Sequence, residues 1–179
     1  MEETKIKLAV VDDDEILTQL LANYLSENDA YEVLFTALDG SELLKKLKNL
    51  NAEELPDIIL LDLRMKKLDG LETIPELKIN YPGIKIIIIT SHYKLSFIGY
   101  MVKNGINAFV PKSITPMDMV KVIDSVYYKD IHFSEDQIKA ICSQMFDNNQ
   151  KPIIKPVELS EREKEVLKLI CYQNTAEEI

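Results

Sequence analysis

Ile84-Lys85-Ile86-Ile87-Ile88-Ile89 is the most apolar run in the chain, and polar Thr90 and Ser91 follow it directly. Near-continuous isoleucine without period-two alternation fits a strand buried on both faces, as in a parallel sheet covered by helices. The same beat extends in both directions from it. Ile6–Val11, Tyr31–Thr36, Asp57–Leu61 and Ile106–Val110 are further apolar, β-prone runs. Between and after them lie helical patterns: Asp14–Asn28, with Ile16, Leu17, Leu20, Leu21, Tyr24 and Leu25 as its stripe; Gly40–Leu50, with Leu43, Leu44, Leu47 and Leu50; Leu71–Asn80; a more mixed Lys94–Asn104; and Pro116–Tyr128, with Met117, Val120, Ile123, Val126 and Tyr127 inward. Pro75 interrupts the third helix pattern and is tolerable only in a first turn or at a kink.

Five strands alternating with five helices predict an α/β fold, with a parallel sheet and helices on both faces. Right-handed crossovers leave few topologies, and the flavodoxin-like doubly wound order 2-1-3-4-5 leads among them. After Lys129 the texture changes. Ser134–Phe146 reads as one helix capped by Ser134. Asp147–Pro156 is polar, with two prolines, and reads as a linker. Ser160 with Glu163 forms a capping box ahead of the stripe Val166, Leu167, Leu169 and Ile170, and Thr175 with Glu178 repeats the signal.

The chain has 179 residues, 46% hydrophobic and 28% charged, an ordinary globular composition large enough for one domain and an appendage. Its net charge of −9 disfavours generic nucleic-acid binding, which needs clustered Lys and Arg. The polar start runs straight into a short strand, so no signal peptide is expected, and no apolar run nears the ~20 residues of a membrane span. Cys142 and Cys171, far apart and without metal-ligand spacing, are expected to be reduced, partly buried thiols in a cytoplasmic protein.

In an open parallel sheet, sites form beyond the carboxyl ends of the strands. The polar residues there are Asp12, Asp13 and Asp14 after the first strand, Asp62 after the third, Thr90 and Ser91 after the fourth, and Lys112 after the fifth. The first and third strands are neighbours in the expected order, so Asp12, Asp13 and Asp62 meet, with Thr90 and Lys112 beside them. Two carboxylates about 4 Å apart repel by about 4 kcal/mol at an effective dielectric near 20. A cluster of three therefore calls for a proton or a divalent cation, and hard oxygen ligands suit Mg2+. An ionised Asp in such a site can attack phosphorus, with the cation and Lys112 stabilising the transferring group.

At these residues the chain resembles response-regulator receiver domains. The matches are Val10-Val11-Asp12-Asp13-Asp14, Leu60-Leu61-Asp62-Leu63-Arg64-Met65 through Asp69-Gly70, Ile89-Thr90-Ser91, and Ala108-Phe109-Val110-Pro111-Lys112. They lie in order over residues 5–130. The resemblance implies that Asp62 is the phosphoacceptor, answering to a sensor histidine kinase. It implies Asp13 and Asp62 as direct Mg2+ ligands, Asp12 acting mainly through water, and the backbone carbonyl of Arg64 as a further ligand. It implies Lys112 and Thr90 as phosphoryl contacts, and Thr90 with Phe109 as the switch pair, the aromatic ring turning inward as Thr90 moves. Taken alone, Phe109 also reads as a plain core residue, and His92 and His132 as ordinary structural histidines. Lys66 stands where the family usually has Pro, which leaves the shape of that loop open. Arg64 and His92 lie two residues beyond the acceptor and the switch Thr, where the family modulates phosphoryl lifetime.

Residues 158–179, Leu159-Ser160-Glu161-Arg162-Glu163-Lys164-Glu165-Val166-Leu167 and Thr175-Ala176-Glu177-Glu178-Ile179 above all, resemble the start of a LuxR-type helix-turn-helix, with Asn174 at the usual turn Gly. The organisation expected is a receiver domain over 1–130, a linker with one helix over 131–157, and the start of a DNA-binding domain over 158–179, as in the NarL/FixJ subfamily. Residues 151–179 carry five basic and six acidic groups, no DNA-binding surface by themselves. The recognition helix would lie beyond Ile179, so the chain reads as C-terminally truncated. The expected function is a response regulator of a two-component system, a phosphoprotein whose Mg2+-dependent phosphorylation switches a transcription regulator. It would dimerise when phosphorylated and contact double-stranded DNA through the full C-terminal domain, with no membrane partner. It would be no enzyme beyond self-phosphorylation from a phosphodonor and autodephosphorylation. A receiver acting only through protein partners is the alternative. An Asp-nucleophile phosphotransferase of the haloacid-dehalogenase type is disfavoured because Arg64 stands where its second Asp should be. A flavin-binding flavodoxin is disfavoured because the first loop is acidic where a phosphate cradle is needed.

Overall fold

A computed structural model describes residues 4–146. Five strands, β1 (Ile6–Val11), β2 (Tyr31–Ala37), β3 (Ile58–Asp62), β4 (Lys85–Thr90) and β5 (Ala108–Pro111), form one parallel sheet in the order β2-β1-β3-β4-β5. The expected order is the observed one. Among the described residues six helices accompany the strands: α1 (Glu15–Ser26), α2 (Gly40–Lys48), α3 (Gly70–Asn80), α4 (Ile98–Lys103), α5 (Pro116–Lys129) and α6 (Glu135–Phe146). Two apolar clusters sandwich the sheet. One packs Ala22, Leu25, Met119, Val122, Ile123 and Val126 of α1 and α5 under Leu8, Leu60 and Ile87. The other packs α2, α3 and α4 over Ala9, Ile59, Leu61 and Ile88. Alternate residues of the central strands thus serve opposite faces, which is why those strands carry apolar residues at every position.

Several helices depart from the expected phase. The buried residues of α1 are Thr18, Ala22 and Leu25. Of the expected stripe only Leu25 is buried; Leu21 is partly so, and Ile16 and Leu20 are 74% and 62% exposed. The Thr18 hydroxyl donates to the carbonyls of Asp12 (3.0 Å) and Asp14 (2.7 Å), pinning that face of the helix inward. In α5 the buried set is Met119, Val122, Ile123 and Val126, spaced i, i+3, i+4 and i+7, and Met117 is 68% exposed. Val120 and Tyr127 are only partly buried.

The expected helix Lys94–Asn104 is a 3-10 turn, Leu95–Phe97, followed by the short α4. Neither piece is capped by the side chain of its own N-cap residue, Lys94 or Phe97, so nothing local extends the α-helix backward. Pro75 lies in the second turn of α3, neither in the first turn nor ending the helix. The strong start supplied by the Asp69–Glu72 capping box carries the helix through it. Ser134 caps α6 as expected: the Gln137 N–H donates to the Ser134 hydroxyl (3.3 Å), and the Ser134 N–H donates to Gln137 Oε1 (2.8 Å). Cys142 is exposed rather than partly buried, because α6 turns Ala140 and Ile141 toward the core. The expected linker at 147–156, the helix-turn-helix start and Cys171 lie outside the described residues. No helix among the described residues is long and apolar enough to cross a membrane.

Candidate functional site

The carboxyl ends of β1 and β3 stand side by side, Val11 pairing with Leu61. Asp12, Asp13 and Asp62 therefore converge, and one carboxylate oxygen from each lies within 4.8 Å of the others. Asp14 does not join them. Its carboxylate accepts the Leu17 N–H (3.1 Å) as the N-cap of α1. The acidic loop is further fixed by the Asp14 N–H donating to Asp12 Oδ1 (3.0 Å) and the Asp12 N–H donating to the Ala37 carbonyl (3.1 Å).

Lys112 closes the cluster. Its Nζ stands 2.7 Å from Asp12 Oδ2 and 3.0 Å from Asp62 Oδ2. Its backbone N–H donates to the Thr90 carbonyl (2.8 Å), so the end of β5 is tied to the end of β4. Burial opposes the Lys112 charge, but hydrogen bonds and attraction to Asp12 and Asp62 outweigh it and hold the ammonium above the ordinary lysine range. Asp62 is buried, and its other oxygen accepts the Leu63 N–H (2.7 Å). Burial pushes its carboxyl above the usual range; Lys112 pulls it down, and Asp12 pushes it up again. Asp62 thus sits in a site where negative charge is unwelcome until more positive charge arrives. Three hard oxygen donors on a buried floor suit a small divalent cation that keeps water ligands.

The site rests on a close backbone approach. Gly70 opens α3 directly beneath β3, and a Cβ there would run into the Asp62 carbonyl oxygen and Leu63 Cα. The Gly70 N–H donates to the Leu63 carbonyl (3.1 Å). The intervening loop carries two lysines whose roles the sequence reading did not foresee. Lys66, in the place of the family's usual Pro, puts its Nζ 3.8 Å from Asp13 Oδ2, and Lys67 lies 3.0 Å from buried Asp39. Spacing alone does not single out these contacts, which depend on how the loop folds back.

Of the remaining expected residues, Thr90 is buried at the end of β4, and its Oγ1 accepts the His92 N–H (3.0 Å). Arg64 is exposed in the loop after β3. Phe109 is already inside: its ring is buried and stacks on Tyr93 at 5.0 Å and 18°. Gln137 Nε2 donates to the Tyr93 hydroxyl (2.9 Å) and to the Phe109 carbonyl (2.6 Å), and neither Tyr93 nor Gln137 is among the expected site residues. The Ser134-x-x-Gln137 capping pattern is the one signal that marks Gln137 in the sequence.

The response regulator receiver domain family matches residues 8–124. The chain is 27% identical over 174 residues to the response regulator protein VraR of Staphylococcus saprophyticus, a match covering 97% of this chain and 79% of VraR. Its fold is similar to that of a LuxR-family two-component response regulator from Aurantimonas sp. SI85-9A1, with a TM-score of 0.68 at 22% identity over 79% of this chain and 99% of that one. It is also similar in fold to RcsB in a complex with DNA, with a TM-score of 0.69 at 19% identity over 96% of this chain and 79% of RcsB. With the order β2-β1-β3-β4-β5, the carboxylate cluster and this match over most of its length, the chain belongs to the response regulator receiver domain family.

Proposed function

We propose that this protein is the phosphorylation-controlled input of a transcription regulator, with Asp62 as the phosphoacceptor for a sensor histidine kinase. The observation that carries the reading is the pairing of buried Asp62 with Lys112 in a three-carboxylate cluster. An Asp62 oxygen forms a bond to phosphorus as the phosphorus–nitrogen bond to the kinase imidazole breaks, and the electron pair stays on that nitrogen. Lys112, now on Asp62 Oδ2, holds an oxygen of the transferred group, and Thr90 donates its hydroxyl to another. Mg2+ bound by Asp12, Asp13, Asp62 and the Arg64 carbonyl, with Asp12 acting mainly through water, would supply further positive charge for the phosphoryl oxygens. Thr90 and Phe109 form the switch that senses the new group. The protein turns nothing over beyond its own phosphorylation and dephosphorylation.

Residues 1–130 serve as the receiver, 131–157 as a linker with one helix, and 158–179 as the start of a LuxR-type DNA-binding domain, in a cytoplasmic protein. VraR is described as a response regulator, and the RcsB structure holds DNA, which supports a DNA-directed output here. A homodimer of the phosphorylated form is supported by the exposed apolar residues Ile16, Leu20 and Met117, which gain by burial against a second copy.

Incubation with a small acyl phosphate and Mg2+, followed by intact mass, tests the reading. One added phosphoryl mass is expected, and none in Asp62→Asn. Full labelling of that variant would overturn the assignment.

A further inference from the structure

Helix α6 is fastened at two points to the segment that follows the switch threonine. Near its N-terminus, Gln137 is 4% exposed and has its hydrogen-bonding groups spoken for. Nε2 donates to the Phe109 carbonyl (2.6 Å) and to the Tyr93 hydroxyl (2.9 Å), and Oε1 accepts the Ser134 N–H that closes the helix cap. A primary amide has two N–H hydrogens, and both are used. One turn from the other end, the Gly99 N–H donates to Gln144 Oε1 (2.9 Å) and Gln144 Nε2 donates to the Leu95 carbonyl (2.8 Å). A Cβ at position 99 would collide with the Gln144 side chain, so only glycine leaves room for this contact.

The clamped segment is the one that governs Thr90. Its Oγ1 accepts the N–H of His92, the residue before Tyr93, and Tyr93 is held both by Gln137 and by its stack on Phe109. No hydrogen bond links Thr90 to Asp62 among the described residues. Thr90 Oγ1 is thus tied through the His92 N–H to the residue next to Tyr93, so a movement of Thr90 toward a group on Asp62 that carries His92 with it strains the Tyr93 hydroxyl on the Gln137 amide. Because Gln137 also completes the cap of α6, losing its partners loosens the helix at its start.

We propose that α6 is an autoinhibitory strap: through Gln137 it holds Tyr93 and Phe109 in the arrangement that keeps Thr90 turned away, so docking of α6 and capture of a phosphoryl group on Asp62 oppose each other. The inference rests on the reading of Asp62 as phosphoacceptor. Coupling of this kind is reciprocal. Filling the Asp62 site releases α6, and weakening α6 makes the site easier to fill. The α4–β5 face is meanwhile covered by the chain's own helix, so a partner reaches it only after release.

Beryllofluoride with Mg2+, a mimic of the phosphoryl group that binds without a covalent donor, tests the coupling on the whole chain. Hydrogen exchange of amides 135–146 in the unaltered protein should speed up when it binds. Gln137→Ala should bind it about five-fold more tightly, the effect of one net hydrogen bond. Gln144→Ala, remote from Phe109, should shift affinity in the same direction, which a purely local effect on the switch aromatic would not produce. Beryllofluoride binding with unchanged protection of α6 overturns the strap and leaves the phosphoacceptor reading standing. No binding at all overturns both. The exchange measurement needs no variant, so a variant that fails to fold does not shield the proposal.

Discussion

The Lys112 ammonium lies 3.0 Å from an Asp62 oxygen and bridges it to Asp12. This lysine is the only described cation that touches both carboxylates, and its side chain is 20% exposed. Lys112→Ala should therefore destabilise the fold by about 2 kcal/mol, below the ~3–5 kcal/mol of a fully buried broken pair, because the site is partly wet. Protonation of Asp62, whose carboxyl already stands above its usual range, limits the damage. The loss should thus be larger at neutral pH than in acid, where the carboxyl is neutral. Denaturant unfolding of both proteins at two pH values checks this.

Mg2+ should raise the Tm of the unaltered protein, since the folded cluster binds it and the unfolded chain does not. Asp13→Ala should lose that increment and keep the fold, because Asp13 is only half-buried and caps nothing. An unchanged Mg2+ shift in this variant would remove Asp13 from the ligand set.

Gly70→Ala should cost about 1–3 kcal/mol and lower phosphorylation of Asp62, since the obstructing atoms belong to the backbone of residues 62 and 63. Gly83→Ala, with nothing near its added methyl, is the neutral control. Thermal unfolding and intact mass after treatment with an acyl phosphate read the two effects.

His132 gives a pH signature apart from the site. Burial, with Lys129 adding to it, holds the imidazole below its ordinary value of 6.5. Between the folded value and 6.5 the unfolded chain binds the proton and the folded chain does not. The contribution is therefore present above 6.5 and lost as pH falls through the folded value. The Tm difference between the unaltered protein and His132→Gln should shift against the unaltered protein on acidification across this window. A constant difference would show that His132 titrates alike in both states.

The sheet was legible because β1, β3, β4 and β5 each announce themselves twice, by an apolar run and by the polar residues at its carboxyl end, while β2 shows only the run. Strand order then brought Asp12, Asp13, Asp62 and Lys112 together without reference to any helix. Helix phase was harder to read. In α1, Ile16, Leu20 and Tyr24 form a good apolar stripe, yet Thr18 faces inward because its hydroxyl finds the carbonyls of Asp12 and Asp14. Apolar side chains kept for an outer surface look the same in sequence as those kept for the core. The Gln137 contacts were out of reach for a different reason. They join residues 28 and 44 positions apart, and nothing local in Tyr93 or Phe109 points to them.

The central claim is that the phosphoryl group sits on Asp62 and on no other carboxylate of the cluster. Hydride reduction of an acyl phosphate converts that aspartate to homoserine, and peptide mass spectrometry then reads its position. After treatment with a small acyl phosphate and Mg2+, homoserine is expected at residue 62. Homoserine at residue 12 or 13, or at none of the three in a protein that has gained phosphoryl mass, would contradict the account.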